Sequence, residues 1–254
     1  MREGEFERLV KIAVEEAEGG FVLVGTGSNS TYHTQKKTEL AAELGASAAL
    51  VVMPYYNKPG PAGQLAHMKA AARIMPIVPY DVSSRTAKPM DLNVIAELSG
   101  HPRVIGYKAA THEIYDQNRE LLWVQSERVT QELASDTFRV WSGDDSRTLS
   151  LMQQGAYGVI SVASNAAPGQ LGDMIDNAAE GDYLIAEKLN QELSNFFVDL
   201  FMEPNPTPVK AAMNRRDADG HSGMCAGYSR LPMTTATDHT MKTMEKRLTE
   251  LGII

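Results

Sequence analysis

Residues 104–110 read Val-Ile-Gly-Tyr-Lys-Ala-Ala, and this segment decides how the fold is interpreted. It is short and apolar, it follows Pro102, and helical patterns lie on both sides of it. These features are typical of a strand in a parallel sheet that is covered on both faces. Lysine is among the residues least often fully buried, so Lys108 is unexpected in such a strand.

The position of Lys108 suggests a chemical role. Desolvation disfavours the charged form of an amine, so we expect the pKa of Lys108 to be lowered and its free amine to be more abundant at neutral pH. The matching chemistry is Schiff-base formation with a carbonyl substrate. An equally open interpretation is a lysine at a strand end whose ammonium reaches solvent or pairs with a carboxylate.

Composition narrows the class of protein. The chain has 254 residues, with 24 Lys+Arg against 32 Asp+Glu and a formal charge of -8. No basic cluster is present, which argues against nucleic acid and anionic membranes as partners. The single cysteine, Cys225, cannot form an intrachain disulfide, and the charged first residues are unlike a signal peptide. We therefore expect a cytoplasmic enzyme that acts on small molecules.

A repeat of strand and helix patterns predicts the fold. Strand patterns begin near residues 21, 48, 76 and 104, at intervals of 27 or 28 residues, and two more are predicted at 138–141 and 157–162. The interval is close to the roughly 30 residues of one βα unit in an eight-fold barrel. We predict an α/β fold of the TIM barrel type with about six recognisable strands, and a doubly wound sheet is the alternative. The expected division is an incomplete barrel over 1–180 and a helical segment over 181–254, packed together as one structural domain.

Polar residues follow the predicted strands. In α/β barrels the catalytic groups collect at the carboxyl ends of the strands. The residues found there are Tyr55, Tyr56, Tyr80, Arg85, Lys108, Gly143, Asp144, Ser161 and Ser164. A Schiff-base enzyme needs an amine, a proton shuttle and a group that binds a carboxylate, and lysine, tyrosine and arginine can fill these roles. Taken singly, the tyrosines can equally be packing residues and Arg85 a surface cation, but together the set favours catalysis.

Three other kinds of site are disfavoured. Residues 25–30, Gly-Thr-Gly-Ser-Asn-Ser, lack the third glycine of a dinucleotide fingerprint and predict an ordinary turn between strand and helix. The six histidines have no metal-ligand spacing. The pair Asp144-Asp145 is predicted to form a turn rather than a cation site. We expect no metal and no separate cofactor.

Seven segments resemble the dihydrodipicolinate synthase family, pyruvate-dependent class I aldolases of the N-acetylneuraminate lyase superfamily. They are GTGSN at 25–29, PYYNKP at 54–59, YDVSSRT at 80–86, IGYK at 105–108, SGDD at 142–145, GVISV at 158–162 and EPNPTPVK at 203–210. The resemblance covers nearly the whole chain. It implies condensation of pyruvate with aspartate semialdehyde in lysine biosynthesis, through a covalent lysine–pyruvate imine.

The resemblance also implies a role for particular residues. Lys108 forms the imine, Tyr80 relays protons, and Tyr56 crosses a dimer interface into the site of the neighbouring subunit. Arg85 holds the carboxylate of aspartate semialdehyde. Gly143 and Ile160 supply backbone contacts in the pocket, and Asn29 with Tyr55 match positions that bind lysine as an inhibitor in some members. A homo-oligomer, dimer or tetramer, is expected.

The sequence departs from the family pattern in several places. The family has a Gly-Thr-Thr-Gly-Glu motif at the end of its second strand, and these 254 residues do not contain it. Met1 aligns just beyond that motif, so we expect strand 1, helix 1 and strand 2 to be absent. The sheet edges left exposed would favour pairing with other strands, so we expect an obligate oligomer or a rearranged amino-terminal segment to cover them.

Individual positions depart as well, at Asp81, Ser83, Ala109 and His112, and the segment 112–137 is longer than is usual in the family. Two alternatives to the synthase activity therefore stay open. One is a shortened, inactive homologue that acts as a binding or structural module. The other is a related 2-keto acid aldolase with a different aldehyde substrate.

Overall fold

A computed structural model describes residues 4–110, 138–218, 220 and 225–254. The chain divides into two compact units, Met1–Trp141 and Ser142–Ile254. The longer segment 112–137, which includes the departure at His112, lies outside the described residues. The expected division near residue 180 stays a prediction.

The first unit alternates helices and strands. Its elements are α1 (Glu5–Glu16), β1 (Leu23–Gly25), α2 (Thr31–Glu43), β2 (Ala48–Val52), α3 (Pro61–Ala72), β3 (Ile77–Asp81), α4 (Ser83–Thr86), α5 (Leu92–Ser99), β4 (Gly106–Ala109) and β5 (Arg139–Ser142), whose last residue begins the second unit. Strands β1 to β4 pair in parallel, each with the next along the chain. The strand order lacks the reversal that defines a doubly wound sheet. The predicted α/β fold of the barrel type is therefore confirmed over the described strands.

Small and β-branched residues make these strands suitable for a sheet covered on both faces. Ala48, Ala49, Val51 and Ile77 have no exposed surface. At Gly106 the sheet is too tight for any side chain, because a Cβ atom would collide with the carbonyl of Arg139 and with the Trp141 ring. Glycine thus lets β4 and β5 lie together directly before Lys108, where the Arg139 N–H donates to the Ile105 carbonyl at 3.1 Å.

The second unit is mainly helical. It contains α6 (Thr148–Met152), β6 (Gly158–Val159), α7 (Pro168–Glu180), α8 (Tyr183–Asp199), α9 (Thr207–Ala218) and α10 (Asp238–Glu250), with 3₁₀ turns at Asp145–Arg147 and Ala163–Asn165. The short β6 continues from the end of β5, because the Ile160 N–H donates to the Ser142 carbonyl at 2.9 Å. The core of the second unit is a cluster of apolar side chains from α7, α8, α9 and α10, among them Leu171, Met174, Leu193, Phe196, Phe197, Ala212, Met244 and Leu248.

The predicted strands agree with the observed ones in number and place. Two short helices were not predicted, α4 and α6, because four or five residues are too few to show a helical repeat of apolar positions. Within the described ranges, no helix combines the length and the apolar character needed to cross a bilayer.

Candidate active site

Lys108 and Tyr80 lie side by side at the ends of neighbouring strands. They are register partners in the parallel pairing of β3 with β4. The Nζ atom of Lys108 lies over the Tyr80 ring, 4.3 Å from its centroid. Both side chains are half-buried, so the strand-end position expected for Lys108 is observed, while its lowered pKa stays a prediction. The contact brings a primary amine and a phenol together on one edge of the sheet.

The surroundings of Tyr80 keep its hydroxyl protonated. Burial raises the pKa of Tyr80 above its usual value of 10.0, the nearby charge of Arg85 opposes this shift, and the charge of Asp81 adds to it. A phenol with a raised pKa carries its proton throughout the neutral range. It can therefore act as a proton donor beside the amine.

Arg85 lies on the one-turn helix α4, directly after β3. The turn is closed by the Arg85 N–H, which donates to the Val82 carbonyl at 2.8 Å, and by the Thr86 hydroxyl, which donates to the carbonyls of Val82 and Lys88 at 3.2 and 3.1 Å. Ala87 ends the turn in the left-handed region, at φ 60°. The Arg85 side chain is exposed, and its charge acts on Tyr80. A guanidinium thus lies close enough to the phenol to affect its pKa, and it can bind a carboxylate.

The residue after Tyr80, Asp81, has a buried carboxyl group. Asp81 is only 1% exposed, and its Oδ2 atom accepts hydrogen bonds from the Met90 N–H at 2.6 Å and from the Tyr107 hydroxyl at 3.2 Å. Burial raises the pKa of Asp81 to about 6, against the opposing effect of three hydrogen bonds, from the Met90 backbone, the Tyr107 hydroxyl and the Val82 backbone. Burial, the charge of Asp81 and the hydrogen bond to it also raise the pKa of Tyr107 well above its usual value.

The hydrogen bond between Asp81 and Tyr107 was not predicted from the sequence. Each residue directly adjoins a predicted catalytic residue, Tyr80 or Lys108, and each has a polar group inside an apolar strand. That pattern was the available signal, because buried polar groups need hydrogen-bond partners and two such groups on neighbouring strands can satisfy each other.

The loop after β2 presents two tyrosines. Tyr56 is 89% exposed and has a left-handed backbone, with φ 72°, and Tyr55 is also exposed. The Asn57 side-chain amide donates to the Asn29 carbonyl at 2.8 Å, so the loop after β1 and the loop after β2 are connected. Asn29 and Tyr55 therefore lie on two loops that touch.

The Gly-Thr-Gly-Ser-Asn-Ser segment is an ordinary turn, as predicted. A Cβ atom at Gly27 would collide with the backbone of Val52, so the glycine serves close packing of β1 on β2. Thr26 is buried and shares a 2.8 Å hydrogen bond with Thr38, and the Ser30 side chain caps the start of α2 by accepting from the His33 N–H.

In the second unit, Gly143 follows β5 and Ile160 follows β6, and both are half-buried. The neighbouring acidic pair forms a turn, as predicted. The Asp144 side chain accepts from the Ser146 N–H at 3.1 Å, and Oδ2 of the buried Asp145 accepts from the N–H groups of Val162 and Ala163 at 3.1 and 3.0 Å. Burial raises the pKa of Asp145, while hydrogen bonds from Ser161, Ala163 and Val162 oppose the shift. Among the described residues, no group of three or more His, Cys, Asp or Glu is placed to hold a metal ion.

An amine, a protonated phenol and a guanidinium at the ends of parallel strands are the groups of an α/β enzyme that acts on carbonyl compounds. Comparison with known proteins gives the family. The chain belongs to the dihydrodipicolinate synthetase family, whose model matches residues 1–251, and it is therefore a lyase-type enzyme.

Individual relatives agree with this assignment. The chain is 36% identical over 252 residues to the 4-hydroxy-tetrahydrodipicolinate synthase of Methanosarcina mazei, covering 98% of this chain and 81% of that protein. It is similar to the pyruvate-complexed dihydrodipicolinate synthase of Acinetobacter baumannii, with a TM-score of 0.87 and 31% identity over 100% of this chain and 83% of the other. A monomeric dihydrodipicolinate synthase variant is similar as well, with a TM-score of 0.90 and 34% identity over 100% of this chain and 81% of the other.

Proposed function

We propose that Lys108 forms an imine with pyruvate and that the enzyme condenses this pyruvate with aspartate semialdehyde. The observation that carries the proposal is the position of the Lys108 Nζ atom, 4.3 Å from the centroid of the Tyr80 ring. It puts a nucleophile and a proton donor on the same edge of the sheet. Membership of the family and the pyruvate bound to the relative from Acinetobacter baumannii support the choice of substrate.

The proposed reaction begins with attack of the Lys108 amine on the C2 carbonyl of pyruvate. The carbinolamine hydroxyl must take up a proton to leave as water, and Tyr80 holds one because its pKa is raised. Loss of a proton from C3, which the Tyr80 phenolate can take up, turns the imine into an enamine. The C3 atom then forms a bond with the aldehyde carbon of the second substrate, whose oxygen takes up a proton.

Arg85 is the proposed anchor for the second substrate. It is exposed on its one-turn helix, and its charge reaches Tyr80. A guanidinium can hold a carboxylate through two parallel hydrogen bonds, which orients as well as attracts it. We therefore expect aldehydes that carry a carboxylate to be preferred.

Tyr56 supports a proposed homo-oligomer. An aromatic side chain that is 89% exposed on a left-handed backbone is poorly explained by its own subunit, and insertion into a second copy would bury it. A monomeric variant exists among similar proteins, so the size of the assembly has to be measured by light scattering. A clean monomer would contradict this part of the proposal.

The finer assignments follow from the resemblance alone. Gly143 and Ile160 are proposed to line the pocket, and Asn29 and Tyr55 to bind lysine as an inhibitor. The hydrogen bond between Asn57 and Asn29 supports the second assignment, because it holds the two loops together. The cytoplasmic location and the absence of a cofactor other than the imine stay predictions.

Trapping the imine tests the central step. The protein is incubated with pyruvate and sodium borohydride, and the adduct is located by peptide mass spectrometry. We expect one reduced pyruvate on Lys108 and none in Lys108→Arg. The matched control is Lys36→Arg, because Lys36 pairs with Glu39 on an exposed helix face and its replacement should leave the adduct intact.

The outcome also separates the alternatives. No adduct, or an adduct that persists in Lys108→Arg, would contradict the imine and favour the binding or structural module. An adduct without turnover of aspartate semialdehyde would instead favour a related aldolase. Assays with aldehydes that have and lack a carboxylate then identify its substrate class.

A further inference from the structure

One oxygen of Asp81 connects two parts of the candidate active site. Its Oδ2 atom accepts from the Met90 N–H at 2.6 Å and from the Tyr107 hydroxyl at 3.2 Å. Tyr107 lies directly before Lys108 on β4, and it is only 2% exposed. Met90 closes the segment 82–90, which carries Arg85. The carboxylate therefore ties the arginine segment to the strand of the lysine.

The segment 82–90 depends on this connection at its far end. Its first residue is fixed because Val82 follows Asp81 along the chain. Its last residue is fixed by the hydrogen bond from Met90, with support from the Gln64 side chain, which donates to the Pro89 carbonyl at 3.4 Å and accepts from the Asp91 N–H at 2.9 Å. Both ends of the segment 82–90 are therefore attached to Asp81, one by the peptide bond and one by the hydrogen bond, and Arg85 lies between them.

The two oxygens of the Asp81 carboxylate differ in their hydrogen bonds. Its second oxygen, Oδ1, is buried and has no hydrogen-bond partner in the part of the chain that the structure describes. An ionised carboxyl group in such surroundings costs stability, and groups of this kind concentrate at functional sites. An asparagine would fill the same space, but its single side-chain oxygen would accept from Met90 and Tyr107 without a charge, as a protonated Asp81 would.

We propose that Asp81 is a positioning residue: its ionised carboxylate holds the Arg85 segment against the Lys108 strand and so sets the affinity for the carboxylate of the aldehyde substrate. The kinetic part of this inference rests on the proposed function. A proton added to Asp81 must go to Oδ1, because Oδ2 already faces two donors, and it would weaken both accepted hydrogen bonds by removing their charge.

Tyr80 and Tyr107 are titratable groups whose pKa values Asp81 affects. The other charged residues on the segments that adjoin it are Lys108 on β4, Arg85 on α4, and Lys88 and Asp91 beside Met90. Tyr107 acts on the pKa of Asp81 through its hydrogen bond. Arg85 and Asp81 act in opposite directions on the pKa of Tyr80. An Asp81→Asn variant isolates the effect of Asp81, because the other groups are common to both proteins.

Hydrogen exchange of residues 82–90, corrected for the intrinsic pH dependence, tests the positioning role without needing activity. We expect Asp81→Ala to exchange about tenfold faster than wild type at pH 7.5, the loss of roughly one hydrogen bond to a charged group. We expect Asp81→Asn to exchange at every pH about as fast as wild type does below pH 6, while the protection of wild type falls as the pH drops through about 6. The control is Asp91→Asn, whose carboxyl caps α5 by accepting from the Asn93 N–H at 2.9 Å.

Steady-state kinetics test the consequence. For wild type and Asp91→Asn, the KM for aspartate semialdehyde should rise about threefold between pH 7.5 and 5.5, because roughly three quarters of the protein is then protonated at Asp81 and this form should bind about tenfold more weakly. In Asp81→Asn the KM should already be raised about tenfold at pH 7.5 and should not rise further, and pyruvate trapping should have the same pH dependence in all three proteins. The same rise in Asp81→Asn, or unchanged exchange in Asp81→Ala, would overturn the proposal.

Failure of the proposed function is recognised separately. If no protein traps pyruvate, the imine is wrong, the kinetic part falls with it, and the exchange data alone decide whether Asp81 holds the segment. If Asp81→Ala does not fold, Tyr107→Phe replaces it. That variant removes the hydrogen bond between Asp81 and β4, so the KM for aspartate semialdehyde should rise. Residues 82–90 should keep their protection, because the Met90 N–H still donates to Asp81.

Discussion

The Lys108 ammonium lies on the face of the Tyr80 ring, 4.3 Å from its centroid, and the two residues are partners in the register of β3 with β4. The tyrosine therefore contributes two separable things, a ring that holds the amine and a hydroxyl that carries a proton. Cation–ring contacts of this kind contribute about 0.5–1 kcal/mol at exposed sites and more when desolvated.

Replacing Tyr80 by phenylalanine should separate these contributions. The ring remains under Lys108, so pyruvate should still be trapped after long incubation. The proton donor is lost, so kcat should fall about 100- to 10,000-fold, the usual range for a general acid or base. Single-turnover and steady-state assays measure both effects.

The control for this variant is Tyr32→Phe, because Tyr32 is an exposed tyrosine on α2 that touches only the His33 ring among the described aromatic contacts. It should behave as wild type. An unchanged kcat in Tyr80→Phe would remove Tyr80 from the proton relay.

Replacing Arg85 by glutamine should act on the aldehyde and spare pyruvate. The substrate carboxylate loses a hydrogen bond to a charged group, about 1.5–3 kcal/mol, so KM for aspartate semialdehyde should rise roughly 10- to 100-fold. Trapping of pyruvate on Lys108 should be unaffected. The matched control is Arg73→Gln, at an exposed arginine that ends α3. A rise in KM that is equal for aldehydes without a carboxylate would contradict the role of Arg85.

Much of the candidate site could be predicted because the carboxyl ends of parallel strands lie at one edge of the sheet. Lys108 and Tyr80 lie near the ends of apolar runs, Arg85 follows a few residues after one, and parallel strands bring such positions to one edge. A repeat of 27 or 28 residues placed the strands without any tertiary information.

The Asp81–Tyr107 connection was harder to predict. It needs the register of β3 with β4, in which Asp81 lies opposite Ala109, and a strand register is not determined by an apolar pattern when both faces are buried. The left-handed backbone of Tyr56 was equally inaccessible, because tyrosine rarely adopts a positive φ and no local signal predicts it.

Two glycines two positions apart should respond very differently to alanine. A Cβ atom at Gly27 would meet the backbone of Val52, whereas one at Gly25 would meet nothing within 4 Å. Gly27→Ala should therefore destabilise the fold by about 3 kcal/mol, at the upper end for overpacking, and Gly25→Ala should be neutral or slightly stabilising. Urea unfolding of both variants measures the difference. Equal midpoints would mean that the turn after β1 is not tightly packed on β2.

The burial of Asp81 should also appear in the stability of the protein. Its pKa is raised from 3.8 to about 6 in the folded state, so between these values the folded protein binds more protons than the unfolded chain. Stability then falls as the pH rises through this window. At pH 7 the full penalty applies, about 3 kcal/mol for a shift of this size.

Asparagine carries no charge and should escape this penalty. Asp81→Asn is therefore expected to be more stable than wild type at pH 7, by about 1–3 kcal/mol, with the difference shrinking towards zero near pH 4. Denaturant unfolding at both pH values measures it. Asp91→Asn should show no such gain, since aspartate and asparagine are comparable helix caps. A variant that is more stable at pH 7 yet binds the aldehyde more weakly than wild type would show that the charge of Asp81 serves the reaction at the expense of the fold. A less stable Asp81→Asn would instead mean that the carboxylate stabilises the folded protein at neutral pH.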